Sequence, residues 1–357
     1  MSVGYDFERA GAGGTYERKL DATTTNTMTW KKPHQIAAAA MLSVSLLTGV
    51  TELARGASAR DTIVGVALSP AHFGDFSDRD FTVFFDEAAQ IGSHVTWIFQ
   101  WGSPPPSASF AVVQGWAKER GLKFQLWLSP TTLSNGRKDP DLPKSLAGKG
   151  FADTTVRAAY VDEVISLAAL RPDVLGLATE VNFLAANPRE FAAFMTLAPE
   201  AYLAVKKKYP DQTVTISFQW EVMRAHQQFD MLKQFADSVD VYSLTSYPDA
   251  FGDPSKAKIP DDYYSSIRRY LPTQRIGISE IGWSSAPPAT EEIQAAFFAR
   301  LPEFTRRAKF EFVTLALLHD VALFTGDLDR LNHVGIRTVD DAPKKSWDVM
   351  LNLPDLR

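Results

Sequence analysis

The sequence predicts an α/β protein, a single-domain (β/α)8 TIM barrel, on three observations. Apolar runs and helically spaced segments alternate eight times along the chain, which calls for parallel strands joined by helical crossovers. The alternation covers roughly 300 residues, the size of a closed eight-stranded barrel. The stretch after the first strand, Leu68-Ser69-Pro70-Ala71-His72-Phe73-Gly74, is not the Gly-rich phosphate loop that usually opens a doubly wound sheet.

The elements follow in order. Ile63 to Leu68 is an apolar strand. Asp80 to Ile91 has helical spacing (Phe81, Phe84, Phe85, Ala88) and stops at Gly92. His94 to Trp101 is a strand, and Ser107 to Arg120 a helix ending at Gly121. Leu122 to Leu128 is a strand. Asp153 to Leu170 is a helix with Asp153 as its cap. Val174 to Ala178 is the fourth strand, and Pro188 to Tyr209 a long helix. Thr213 to Phe218 is a strand, and Ala225 to Asp237 is helical. Val239 to Leu244 is a strand, and Asp261 to Tyr270 a short helix. Ile276 to Ser279 is the seventh strand, and Glu291 to Lys309 a helix. Phe310 to Leu318 is the eighth strand, and Ser346 to Leu351 fits a last helix. No sequence repeat and no linker divides this body, so residues 60–357 read as one domain.

The chain ahead of the barrel has a different character. Residues 1–27 are polar and Gly/Thr-rich and are expected to be disordered or a non-native extension. Lys31 and Lys32 precede an apolar run from Ile36 to Val50, and Gly56-Ala57-Ser58-Ala59 has the small-residue form of a cleavage site. That layout predicts a signal peptide over 28–59. Met28 is then a candidate natural start. The run is short of the about 20 residues a membrane span needs; an uncleaved anchoring helix is the competing reading. The protein is expected to be secreted or periplasmic, monomeric, and without stable membrane insertion after cleavage.

Composition narrows the function classes. Hydrophobic residues make up 45% of the chain and charged residues 22%, enough for a sizeable core. The net charge of −5, with no basic block, gives no footing for nucleic acid. The absence of cysteine excludes disulfides, thiolate metal sites and a cysteine nucleophile. The six histidines are scattered, without a His-x-His or His-Glu-x-x-His pattern, and Gly-x-Ser-x-Gly is absent. No cofactor and no metal are expected.

Two strands end in acids. Val174-Leu-Gly-Leu-Ala-Thr-Glu180 is one, and Arg275-Ile-Gly-Ile-Ser-Glu280-Ile-Gly-Trp283 the other. A carboxylate at the end of a buried strand is costly unless it is paired or used. In a (β/α)8 barrel these ends form the active-site face. Also gathered there are His72, Gln100, Trp101, Ser129, Thr179, Asn182, Gln219, Trp220, Glu221, Tyr247, Trp283, His319 and Asp320. The set is rich in acids, amides and tryptophan and poor in the Lys, Arg and Gly of a phosphate site. Two carboxyl groups are what glycoside hydrolysis requires.

At these residues the chain resembles the large clan of retaining barrel glycoside hydrolases that includes endo-galactanases, β-mannanases and barrel-type cellulases. The resemblance covers the barrel from about Ile63 onward and is specific at strands four, six and seven. It implies Glu180 as acid/base and Glu280 as nucleophile, with Tyr247, in Ser246-Tyr247-Pro248, hydrogen-bonding the nucleophile. It further implies a β-linked oligo- or polysaccharide substrate cleaved with retention, carboxyl groups about 5–5.5 Å apart, and Glu180 raised in pKa by an ionised Glu280. Thr179, Asn182, Gln219, Trp220, Trp283, Trp101, Tyr247 and His319 are the expected substrate contacts. Three positions depart from the clan. Thr179 stands where it usually has Asn, with Asn182 beyond the acid. Thr96 or Gln100 stands where strand two often carries Arg. His319-Asp320 stands where strand eight often carries Trp. Trp101, Trp220 and Trp283 are as readily core as sugar platform, His319 as readily structural as a contact, and Glu221 is expected to be exposed. Pro130 to Gly150 is expected to be a surface loop over the barrel mouth. The alternative function is a catalytically inactive carbohydrate-binding barrel.

Overall fold

In the computed structural model, which describes residues 59–354 and 356, eight parallel strands close into a barrel. They are β1 (Val64–Ala67), β2 (His94–Gln100), β3 (Lys123–Ser129), β4 (Val174–Ala178), β5 (Val214–Gln219), β6 (Val241–Ser246), β7 (Ile276–Ile281) and β8 (Val313–Leu315), with β8 pairing back onto β1. The N-terminal extension and all but the last residue of the expected leader lie outside the described residues. No described helix is long and apolar enough to cross a membrane.

The first four crossover helices fall where their spacing and caps predict. They are α1 (Asp78–Ile91), α2 (Ser107–Glu119), α3 (Thr154–Ala169) and α4 (Pro188–Lys208). Ser77 and Asp80 form a reciprocal capping box on α1, and Asp153 accepts the Thr155 and Val156 N–H groups at the start of α3. Such caps satisfy donors that the helix itself leaves orphaned.

Beyond β5 the crossovers are more broken than the periodicity suggests. The helix expected over 225–237 is two short ones, α5 (Trp220–Ala225) and α6 (Asp230–Gln234). The Gln219 side chain caps the Val222 N–H and starts α5 early, and Gln227 in a left-handed conformation ends it. The helix expected over 261–270 is only a 3₁₀ turn at Ser265–Arg269, with α7 (Pro248–Phe251) ahead of it. The long helix expected over 291–309 splits into α8 (Glu291–Phe298) and α9 (Leu301–Ala308). Pro302, which cannot donate a helical hydrogen bond, falls in the first turn of α9, the position that tolerates it. The last helix is α10 (Lys345–Leu351).

Strand alternation sorts side chains into two cores. One set (Val95, Trp97, Phe99, Leu126, Leu175, Ile216, Phe218, Leu244, Ile278, Leu315) packs outward against the helices in one continuous cluster. The other set fills the barrel. Trp127, Val174, Val241 and Phe312 form a separate apolar cluster. A β-carbon on Gly176 would lie 2.2 Å from Trp127, and one on Gly277 would lie 2.3 Å from Phe312. These glycines make room for the two large rings. Around them the lumen is polar: Thr314 lies within hydrogen-bond distance of both His94 and Thr96, and Thr215 meets Ser243. Burial, followed by the charge of Lys123, pushes the His94 imidazole down to about 3, so it is neutral in the core.

Three of the eight ladders slip by a residue, between β4 and β5, β6 and β7, and β7 and β8. A one-residue slip reverses which side chains face inward, and such bulges re-aim side chains beside active sites. On β7 the slip passes over Ser279 and sets Glu280 opposite the inward Thr245. Without it, Glu280 would point at the helices.

Candidate active site

The slipped strands bring the two acids to one place at the mouth. Glu180 follows β4 in a left-handed conformation (φ 51, ψ 44), uncommon for a residue with a side chain. Its N–H donates to Ser217 Oγ at 2.9 Å. Its carboxylate is gripped on both oxygens: Thr245 Oγ1 donates to Oε1 at 2.7 Å, and Arg137 Nε donates to Oε2 at 2.6 Å. Glu280 accepts from the Tyr247 hydroxyl at 2.6 Å, the bond that the clan resemblance implies.

The four groups share one electrostatic environment. Burial, and then the charge of Glu180, push Glu280 up to about 7. The Tyr247 phenol is driven well above its ordinary value, by burial first and then by Glu280. The clear upward displacement of a carboxyl falls on Glu280. Against burial and the charge of Glu180 work the Tyr247 hydrogen bond and the more distant charge of Arg137, which contacts Glu180 instead.

Arg137 was not legible as a site residue. It comes from the loop after β3, with a left-handed backbone (φ 61). Its side chain is 8% exposed against 13% for Glu180, and its Nη1 donates to Ser129 Oγ at 2.7 Å. The loop over the mouth thus delivers a positive charge to the acid pair.

Most of the expected substrate contacts are instead parts of the frame. Trp101, Trp220 and Trp283 are 2%, 0% and 1% exposed, so none offers a ring face to a sugar. The cause for two of them is strand phase: Trp101 continues the outward series Val95-Trp97-Phe99, and Trp220 the outward series Ile216-Phe218. Trp101 packs edge-on against Tyr160 of α3. Thr179 is buried and its hydroxyl donates to Ser129 Oγ at 2.8 Å. Asn182 clips the end of β5, accepting from the Gln219 N–H and donating to the Gln219 carbonyl. Gln219 caps α5 and donates to Glu221 at 2.7 Å.

Glu221, expected to be exposed, is buried. It accepts from Gln219, Ser246, Tyr263 and the Tyr247 N–H, and burial pushes its carboxyl up. It serves as the anchor that seats Tyr247.

His319 is also fully buried. Its Nδ1 faces the Ser69 carbonyl at 2.9 Å, and its Nε2 lies 3.0 Å from Asp341 and 3.2 Å from Glu87. Glu87, His319 and Asp341 have the composition of a metal site. However, Arg337 Nε lies 3.0 Å from Glu87 and 2.7 Å from Asp341, so a guanidinium already fills the place of a cation. Asp320 is tied to Lys344 at 2.7 Å. A cavity of about 480 Å³ lined by His72, Ser77, Asp80 and Asp340 lies on the rim near this network, away from the acid pair.

No family model matches the chain, and no curated protein matches it in sequence. Among solved structures it is similar to an exo-β-1,4-mannosidase from Opitutaceae bacterium strain TAV5, with 15% identity and a TM-score of 0.64 over 82% of this chain. The match spans 59% of that mannosidase's length. It is similar to a GH5_18 protein from Streptomyces cattleya in complex with Manβ1-4GlcNAc, with 17% identity and a TM-score of 0.65 over 83% of each chain. It is also similar to the GH53 catalytic domain of Ignisphaera aggregans, with 16% identity and a TM-score of 0.61 over 81% of this chain and 95% of that one. At these identities what is shared is the barrel fold.

Proposed function

We propose that the protein is a retaining glycosidase acting on β-linked oligo- or polysaccharide, with Glu280 as nucleophile and Glu180 as acid/base. The observation that carries this reading is the meeting of Glu180 and Glu280, from β4 and β7, in one electrostatically coupled cluster at the barrel mouth, with Tyr247 on Glu280. A barrel built only to bind would gain nothing from burying two acids against each other, since like charges there cost free energy. In the first half-reaction, Glu280 attacks the anomeric carbon while protonated Glu180 gives its proton to the leaving oxygen. In the second, Glu180 takes a proton from water, which releases the sugar from Glu280.

The leader-like segment at 28–59 supports action outside the cytoplasm. Two of the structural neighbours concern β-mannosides by name, so β-mannosides head the panel of substrates to try, with β-galactans added on the clan resemblance alone. The second reading, a barrel that binds carbohydrate without cleaving it, draws on Thr179, whose hydroxyl donates to Ser129 and so has no proton left to donate to a sugar 2-hydroxyl.

The test is hydrolysis of aryl β-glycosides and β-linked polysaccharides by the wild-type protein and by Glu280→Gln, with proton NMR of the first-formed anomer. Release of the β-anomer by wild type, and its near-complete loss in the variant, is the expected result. The α-anomer would refute retention. Calorimetric binding of an oligosaccharide that is never turned over would favour the second reading.

A further inference from the structure

We propose that Arg137 is a positioning residue that decides where the proton of the acid pair rests: it holds Glu180 as the carboxylate in the free protein and leaves the proton on Glu280. This arrangement is the reverse of the one in which double displacement begins.

The geometry argues for it directly. A guanidinium only donates and does not lose its proton, so Glu180 Oε2, at 2.6 Å from Arg137 Nε, is a permanent acceptor. The other end of the guanidinium is fastened to Ser129, which keeps the group from swinging away. Glu280 receives only the neutral phenol of Tyr247. The titratable groups facing the pair are Arg137 from the β3 loop, Tyr247 from β6 and the two acids themselves. Asp141, on the same loop, also feels Arg137. Among these, Arg137 is the only cation, and it contacts one acid and not the other. The elevation of Glu280 by burial and by the Glu180 charge agrees with a proton resting there.

The consequence is a transfer before cleavage. An O–H bond on Glu280 breaks and one forms on Glu180, with the charge of the pair unchanged and no co-reactant needed. Glu180 Oε1 is the oxygen that can receive the proton, because its partner Thr245 is a hydroxyl and can turn from donor to acceptor. The β3 loop therefore controls the readiness of the pair, and a substrate that loosens Arg137 from Glu180 promotes its own cleavage.

This inference rests on the reading of Glu180 and Glu280 as the catalytic couple, but its test needs no substrate, so the two can fail separately. Glutamate labelled with ¹³C at the side-chain carboxyl is incorporated, and the two resonances are assigned with Glu180→Gln and Glu280→Gln. The pH is then varied from about 4 to about 9, spanning the carboxyl and perturbed-carboxyl ranges. In wild type the resonance that titrates near neutrality should be that of Glu280. In Arg137→Gln the near-neutral titration should pass to Glu180, and Arg137→Lys should return it to Glu280. Ser129→Ala, a milder change that frees the far end of the guanidinium, should move the Glu280 midpoint down if the Gln variant does not fold. A near-neutral titration on Glu180 in wild type overturns the proposal, as does a Glu280 titration that neither Arg137→Gln nor Ser129→Ala moves.

Discussion

Gly176→Ala tests whether the barrel lumen is as tightly fitted as the structure has it. Gly176 faces inward on β4, and its missing β-carbon is the space that the Trp127 indole occupies, 2.2 Å away. Carbon atoms pack at about 3.5–4.0 Å, so the alanine methyl overlaps the ring by roughly 1.3–1.8 Å. Trp127 is fully buried within a strand and has no void to retreat into at protein packing density. Overpacking typically costs about 1–3 kcal/mol, and this overlap belongs at the upper end. Relief of glycine's unfolded-state entropy returns about 0.4–1 kcal/mol, so from a cost of about 3 kcal/mol the net loss is about 2–2.6 kcal/mol. At about 2.1 cal/mol/K per residue, a body of roughly 300 residues has an unfolding entropy near 0.6 kcal/mol/K, and Tm should fall by about 3–4 °C. The assay is calorimetry together with urea titration, on Gly176→Ala, Trp127→Leu and the double variant. Trp127→Leu alone should be destabilising through the cavity it leaves. In that background Gly176→Ala should cost nothing, giving a coupling of about 2–2.6 kcal/mol. An equal cost for the alanine in both backgrounds would refute the idea that glycine and indole are matched.

Tyr247→Phe removes the one side-chain hydrogen bond that Glu280 accepts among the described residues. Such a bond to a charged group is worth about 1.5–3 kcal/mol, so kcat/KM on an aryl glycoside should fall roughly 10- to 150-fold. The bond also holds Glu280 down, so its loss should move the acid limb of the pH–rate profile to higher pH; an unmoved limb would count against Glu280 as the nucleophile. For His319, burial works against the charge, but hydrogen bonds to Glu87 and Asp341 raise its ionisation above the ordinary value. A group raised in this way contributes stability that is complete below its unfolded value of about 6.5 and lost as pH rises through the folded one. His319→Gln should therefore lower Tm most at the acid end of that interval and flatten its pH dependence, as read by differential scanning fluorimetry.

What the sequence reveals is whatever the barrel imposes through short-range pattern. Closure, strand count and the ends carrying Glu180 and Glu280 follow from apolar runs spaced by helices, because parallel strands admit few other arrangements. Strand phase was available as well and carries more than strand ends do. Trp101 and Trp220 lie in step with Val95-Trp97-Phe99 and Ile216-Phe218, residues whose size marks the helix-facing side, and counting by twos would have assigned both to the outer core. The same count misplaces Glu280, which is in step with Ile276 and Ile278 and faces inward only because the ladder slips at Ser279. A slip is set by pairing with β6 and β8, and nothing in the local sequence marks it. Short-range pattern therefore locates the outward residues reliably and fails at the bulges, where the reactive group sits.

Arg137 escapes for a related reason. Its neighbours Asn135-Gly136-Arg137-Lys138-Asp139 read as an ordinary polar turn. The contact with Glu180 exists only because the loop closes back over the mouth through Thr132, whose carbonyl accepts the Arg137 N–H and whose own N–H donates to the Asp139 carbonyl. Position and charge thus have different origins in this site. The barrel fixes where two carboxyl groups meet, a constraint shared by any chain that closes eight strands with acids at the ends of the fourth and seventh. The loop after β3 decides which of the two is held ionised, and loops tolerate change where strands do not. A substitution at Ser129, Thr132 or Arg137 would therefore alter the protonation of the pair while leaving its placement intact, so pH behaviour is the property of this site most open to change by a single residue.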